Sequence, residues 1–226
     1  MASKVAVIAL WLTCPMQVVA QGWASPLDAR RVEVGIVDQW IRRTIRYDDG
    51  SSVQEGGWNR LAAFLRLTLT DDLGVDVSGL AWHRGGTHLF PSRDYFDFSF
   101  GAGVTYRPIH VGTLDFGLNL HFHDLAYLDQ SAERYSKRTS QLAISVGLSR
   151  RFPVLGQQVD LWAAPAYIID RLTQYPPSGI PSHGSSLHNV GAIAGGRILA
   201  AQRLRIYSQV TYAESWQSEA GLSVVF

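Results

Sequence analysis

The chain has 226 residues, a net charge of +1 and 17% charged residues, so no strong overall field recruits nucleic acid. Its mean hydropathy is +0.01, too low for a bundle of membrane helices but compatible with a β-barrel, in which only alternate residues face lipid. Cys14 is the only cysteine and lysine occurs only at Lys4 and Lys137; the chain beyond Cys14 therefore uses no disulfide or thiolate metal site, and it lacks the lysine-clad outer face of a soluble sandwich.

The N-terminus reads as a secretory signal peptide over residues 1–20. Lys4 supplies the positive segment, residues 5–12 the apolar run, and Val18-Val19-Ala20 the small or modest residues before a cleavage site. Cleavage is expected after Ala20, with Ala24 as the alternative. The run is too short for a spanning helix, which needs about 20 residues. Acylation at Cys14 is the competing reading, and Trp11 and Thr13 fit a lipid-attachment site poorly. Residues 21–226 then form one β-domain.

Period-two alternation recurs along this domain, with no sustained helical period. Probable strands with phase breaks cover 32–46, 75–83 and 187–198, and a slip of the alternation near Val37 to Trp40 suggests a bulge. In 60–70, Leu61, Ala63, Leu65, Leu67 and Leu69 share a face opposite Arg66 and Thr68. In 95–106, Phe96, Phe98, Phe100, Ala102 and Val104 oppose Tyr95, Asp97, Ser99, Gly101, Gly103 and Thr105. The clearest segment is 114–123, where Leu114, Phe116, Leu118, Leu120 and Phe122 oppose Asp115, Gly117, Asn119, His121 and His123. Segments 139–149, 158–169 and 203–212 repeat the pattern, and 218–226 ends it with Leu222, Val224 and Phe226 on one face and Glu219, Gly221 and Ser223 on the other. The count is about ten strands, with eight as the alternative.

Connections alternate in length. Short turns are read at 71–74, 108–112, 153–156 and 199–202, and longer polar loops at 47–59, 84–94, 125–137 and 170–186; a last connection near 213–217 is short and breaks the alternation. This asymmetry predicts an antiparallel transmembrane barrel with short periplasmic turns and longer extracellular loops. Apolar faces about five residues long suit a band of about 25 Å. The opposite face is rich in Gly, Ser, Ala and Thr, and Trp40, Tyr47, Trp58, Trp82, Tyr95, Tyr106, Tyr167, Tyr212, Trp216 and Phe226 cluster near strand ends, as interfacial aromatics do. With the apolar face outward, the lumen receives Glu33, Arg66, Asp76, Asp97, Asp115, His121, His123, Asp160, Arg205 and Glu219. Charges of both signs in so narrow an interior must pair, which predicts a plugged barrel; a narrow polar conduit is the alternative.

Candidate chemistry is sparse. His121 and His123 share a strand face at a spacing that can chelate a metal, but no third ligand is identifiable, so no metal, cofactor or catalytic set is assigned. His88, His183 and His188 fall in or beside outer loops. His183-Gly184-Ser185 has a spacing superficially like the His-Ser pair of outer-membrane lipid A deacylases, but it is read as part of a Pro/Gly/Ser loop and not of a strand. Omptin-type acidic pairs are not matched, because Asp71-Asp72 belongs to a turn at the opposite end.

The signal peptide, strand pattern, loop asymmetry and terminal Phe226 together resemble a small bacterial outer-membrane β-barrel of the outer-membrane-protein-A-like or opacity-protein-like class. The resemblance implies an outer-membrane location, outer-membrane lipid and lipopolysaccharide as surroundings, and recognition of Phe226 by the barrel assembly machinery during insertion. It carries over no functional residue. The leading expectation is a non-enzymatic structural or surface-contact protein; the alternatives are a porin-like channel for ions or small solutes and a lipid-modifying or proteolytic barrel.

Overall fold

A computed structural model describes residues 31–84, 95–97, 100–127, 136–175, 180–186, 189–213 and 215–226. Twelve strand segments follow one another: β1 (Val32–Tyr47), β2 (Ser52–Thr68), β3 (Leu73–Arg84), β4 (Tyr95–Asp97), β5 (Phe100–Val111), β6 (Leu114–Tyr127), β7 (Ser136–Val154), β8 (Gln157–Tyr175), β9 (Ser182–Ser186), β10 (Val190–Leu199), β11 (Leu204–Ala213) and β12 (Ser215–Val225). Ten of them close an antiparallel barrel. The seam is the β1–β12 pair, in register from Glu33↔Val225 to Trp40↔Ser218. Closure leaves no open edge within the band, which is what lets a sheet cross a bilayer. The signal-peptide region and Cys14 lie outside the described residues.

The two extra segments complete the wall. β4 prolongs β5 against β3. β9 lies between the upper ends of β8 and β1, pairing with both, whereas lower down β10, β11 and β12 fill the same interval. These three strands have only 10, 10 and 11 residues, against 19 each in β7 and β8. One short strand thus stands above three, and the wall narrows by two strands toward that end.

Several expected loops are strand. The segment 47–59 is a turn at 48–51 followed by β2, β6 and β7 run to Tyr127 and from Ser136, and 170–186 holds the end of β8 and all of β9. Apolar alternation marks only the part of a strand that faces lipid, so hairpins that continue beyond the band read as polar loops. Two of the short turns, at 112–113 and 155–156, are tighter than expected. Leu155 and Gly156 both have positive φ (51° and 76°), the backbone that a two-residue hairpin turn requires.

Alternate residues point outward as expected. Val34, Ile36, Val104, Leu118, Leu120, Val146, Leu161 and Leu222 are exposed on the outer face. Tyr167, Tyr212, Trp216 and Val190 stand at its upper margin, the Tyr212 and Trp216 rings 4.8 Å apart; Tyr106 and Phe226 stand at its lower margin. From Trp216 to Phe226 is about 33 Å of strand, or about 25 Å of height at a tilt of about 40°. The side chains of Trp58, Trp82 and Tyr95 lie outside the described residues. The slip near Val37 has another cause than a bulge: Val37 is fully buried in the lumen and Asp38 faces outward. The register shift comes later, at Ile41/Arg42, with others at Ala62/Ala63 and Tyr106/Ile109.

Candidate functional site

The buried side chains of the lumen form three storeys. Nearest the short turns, Glu33 accepts a hydrogen bond from Arg205 at 3.1 Å and another from the Ser223 hydroxyl, with Arg66 and Arg197 each 3.9 Å away. Arg197 donates through Nε (3.0 Å) and Nη2 (2.6 Å) to Asp160, which also accepts from Arg151 at 3.2 Å. Seven strands are tied together by this one cluster. Beside it, Arg107 donates to Ser149 at 2.8 Å, and Asn119 donates to Ser145 at 3.1 Å.

The middle storey is mainly apolar. Val37, Ala62, Phe64, Ala143, Trp162, Ala164, Ala166, Ile168, Ile193 and Tyr207 form a continuous buried cluster. Phe64 and Tyr207 meet edge to face with centroids 6.0 Å apart, and Trp162 donates to Gln209 at 2.8 Å. On the opposite wall His121 Nε2 lies 2.7 Å from Asp76, and the His121 and His123 rings are 4.4 Å apart. The bulky rings find room over glycines of neighbouring strands. A Cβ on Gly35 would fall 2.6 Å from Phe64, and one on Gly195 2.5 Å from Trp162. In the third storey Arg60 donates to Gln39 (2.7 Å), Gln39 to Glu219 (3.4 Å) and Gln141 to Asp170 (2.8 Å). Ile45 and Leu172, nearly inaccessible, close it beneath Gly184 of β9.

Glu33, Arg66, Asp76, His121, His123, Asp160, Arg205 and Glu219 are all buried in this interior. Asp115 lies at the mouth instead, half-buried, where it contacts His110 Nδ1 at 2.7 Å while Asp72 contacts Nε2 at 2.7 Å. Asp97 is placed in β4 by its backbone pairing with Ala81, and its side chain lies outside the described residues, as do His88 and His188. Among the described residues no group of three His, Cys, Asp or Glu could hold a metal ion. His183-Gly184-Ser185 is strand and not loop: Gly184 points inward against Ile45, while His183, 3.3 Å from Thr173 Oγ1, and Ser185 face outward. β9 read as loop in the sequence because five residues of Ser, His and Gly carry no apolar alternation.

Sequence reasoning foresaw a polar lumen and missed its apolar waist. Trp162, Ala164, Ala166 and Ile168 form the face of β8 opposite Leu161, Ala163 and Tyr167, so the signal was present as two apolar faces on one strand. Such a strand is buried on one side and lipid-facing on the other.

No family model matches the chain, and no curated protein matches it. Among solved structures it is similar to an outer-membrane channel from Pseudomonas putida F1 (10% identity, 92% of this chain and 100% of that one, TM-score 0.40). It is also similar to the outer-membrane protease OmpT from Escherichia coli (8%, 89% and 98%, 0.46) and to the attachment invasion locus protein Ail of Yersinia pestis (10%, 88% and 100%, 0.32). These likenesses are to the outer-membrane barrel fold alone and give no residue a role.

Proposed function

We propose that this chain is an integral outer-membrane protein whose lumen is closed, so that it works as a structural or surface-contact barrel and not as a channel or an enzyme. The turns then lie in the periplasm and the long hairpins outside. The continuous packing of the interior carries this reading. Phe64, Tyr207 and Trp162 fill the waist, and the ion cluster of Glu33, Asp160 and four arginines closes the end below it. Among the described residues five buried arginines (Arg60, Arg66, Arg107, Arg197, Arg205) face five buried acids (Glu33, Asp76, Asp160, Asp170, Glu219), so the interior presents no net field to draw in an ion. Buried charges of this kind persist because they are paired and hydrogen-bonded. The outer apolar belt, about 25 Å high between its aromatic margins, supports insertion in a membrane.

Single-channel recording of the refolded chain in a planar bilayer tests this reading. With insertion shown by a gel mobility that changes on heating, the wild-type chain should give a silent bilayer. Phe64→Ala with Tyr207→Ala, which empties the waist, should give brief conducting events. Discrete, reproducible steps from the wild-type chain would overturn the closed lumen in favour of a narrow channel.

A further inference from the structure

We propose that the outer face of β9, flanked by Arg46 of β1 and Arg171 of β8, binds a phosphate of an outer-leaflet glycolipid. The inference rests on the membrane reading above and adds a ligand site to it. Ser185 pairs with Arg46 on one side and with Arg171 on the other, so the three residues form one row across three strands. All three are exposed, and strand parity turns them outward, because their neighbours Ile45, Leu172 and Gly184 are buried inside.

The two arginines are rooted about 10 Å apart, two strand spacings, with a small hydroxyl residue between them. Two long guanidinium side chains at that separation can converge on one phosphate, for which their planar donor forks are well shaped. Among the described residues neither Arg46 nor Arg171 has an ion-pair partner, in contrast to Arg66, Arg197 and Arg205 of the lumen. His183 lies on the same face, two residues from Ser185, and adds a further polar group at the rim.

Height selects a lipid. Arg171 is four residues above Tyr167 on β8, about 13 Å of strand and about 10 Å of height. It therefore stands just above the margin formed by Tyr167, Tyr212 and Trp216, where headgroups lie against the outer leaflet. A lipid seated there lays its acyl chains on the low outer wall of β10–β12 and its phosphate between the arginines. The reach of β9 over three short strands is what places both arginines directly above that wall.

The test uses the full chain refolded into phosphatidylcholine nanodiscs, titrated with fluorescent lipopolysaccharide that retains its phosphates and with the same material after phosphatase treatment. The wild-type chain should prefer the phosphorylated form, and Arg46→Gln with Arg171→Gln should weaken that binding about tenfold, by loss of the charge-assisted hydrogen bonds. Arg150→Gln, at the opposite end, should leave it unchanged. Ser185→Asp keeps both arginines and supplies them with an internal carboxylate; it should weaken binding comparably and serves where the double variant fails to insert. Equal binding of the dephosphorylated form, unaltered binding by both variants, or full displacement by inorganic phosphate at the concentrations of the lipid would overturn the site. A wild-type chain that never shows heat-dependent mobility would instead overturn the membrane reading on which the site rests.

Discussion

His110 is the residue whose surroundings most clearly depend on protonation. It lies four residues past Tyr106, beyond the spanning part of β5, and both ring nitrogens meet carboxylates at 2.7 Å, Asp72 on one side and Asp115 on the other. Both nitrogens can donate only when the ring is an imidazolium. The hydrogen bond to Asp72, then the one to Asp115, holds its pKa above the ordinary value. A raised folded-state pKa means that the stabilisation is complete below the unfolded value of about 6.5 and is lost as pH rises through the folded value. The side chain is half exposed, so solvent screens the effect. The urea midpoint of the refolded barrel should fall modestly as pH rises above about 6.5, and His110→Gln should remove that fall; an unchanged pH profile in the variant would discard the assignment. The sequence showed His110 only as a turn residue. Its partners come from two different hairpins, which no local pattern links, whereas His121 and Glu219 could be assigned inward because their own strands alternate.

At the scale of the element, β9 shows how a segment without apolar signal becomes structural. Its outer strand bonds go to β8 and β1, and its inner face is the bare backbone of Gly184 against Ile45. A Cβ there would stand 2.5 Å from Ile45 Cγ2. Gly184→Val should therefore lift β9 from β1, at an overpacking cost of about 1–3 kcal/mol. Limited proteolysis should then cut within 182–186 while the heat-dependent mobility of the barrel persists. A segment as resistant as in the wild type would mean that Ile45 yields and that β9 is held by its hydrogen bonds alone. The lipid-facing parts of β2, β5, β6 and β7 were legible from alternation, because lipid selects every second residue. Hairpin lengths above the band were not, since water makes no such selection.

For the whole molecule, the decisive arrangement is the one that ties the lumen to the seam. Glu33 belongs to β1, and its partners Arg66, Arg197, Arg205 and Ser223 come from β2, β10, β11 and β12. Glu33→Gln leaves clustered arginines without their central carboxylate and should cost about 3–5 kcal/mol, the usual penalty for removing one partner of a buried ion pair; a urea-midpoint shift corresponding to less than about 1 kcal/mol would show that water compensates the arginines. That a barrel would form was readable from the strands one at a time, but which charges would meet inside it depends on closure, which joins residues from opposite ends of the chain. Ser223 and Glu33 are 190 positions apart. In an unclosed sheet Glu33 would have only its β2 neighbour Arg66 at hand, and the remaining countercharges arrive with the last strands. Charge pairing and sealing of the wall therefore coincide, and a copy whose seam has not shut leaves Glu33 without three of its four partners until it does.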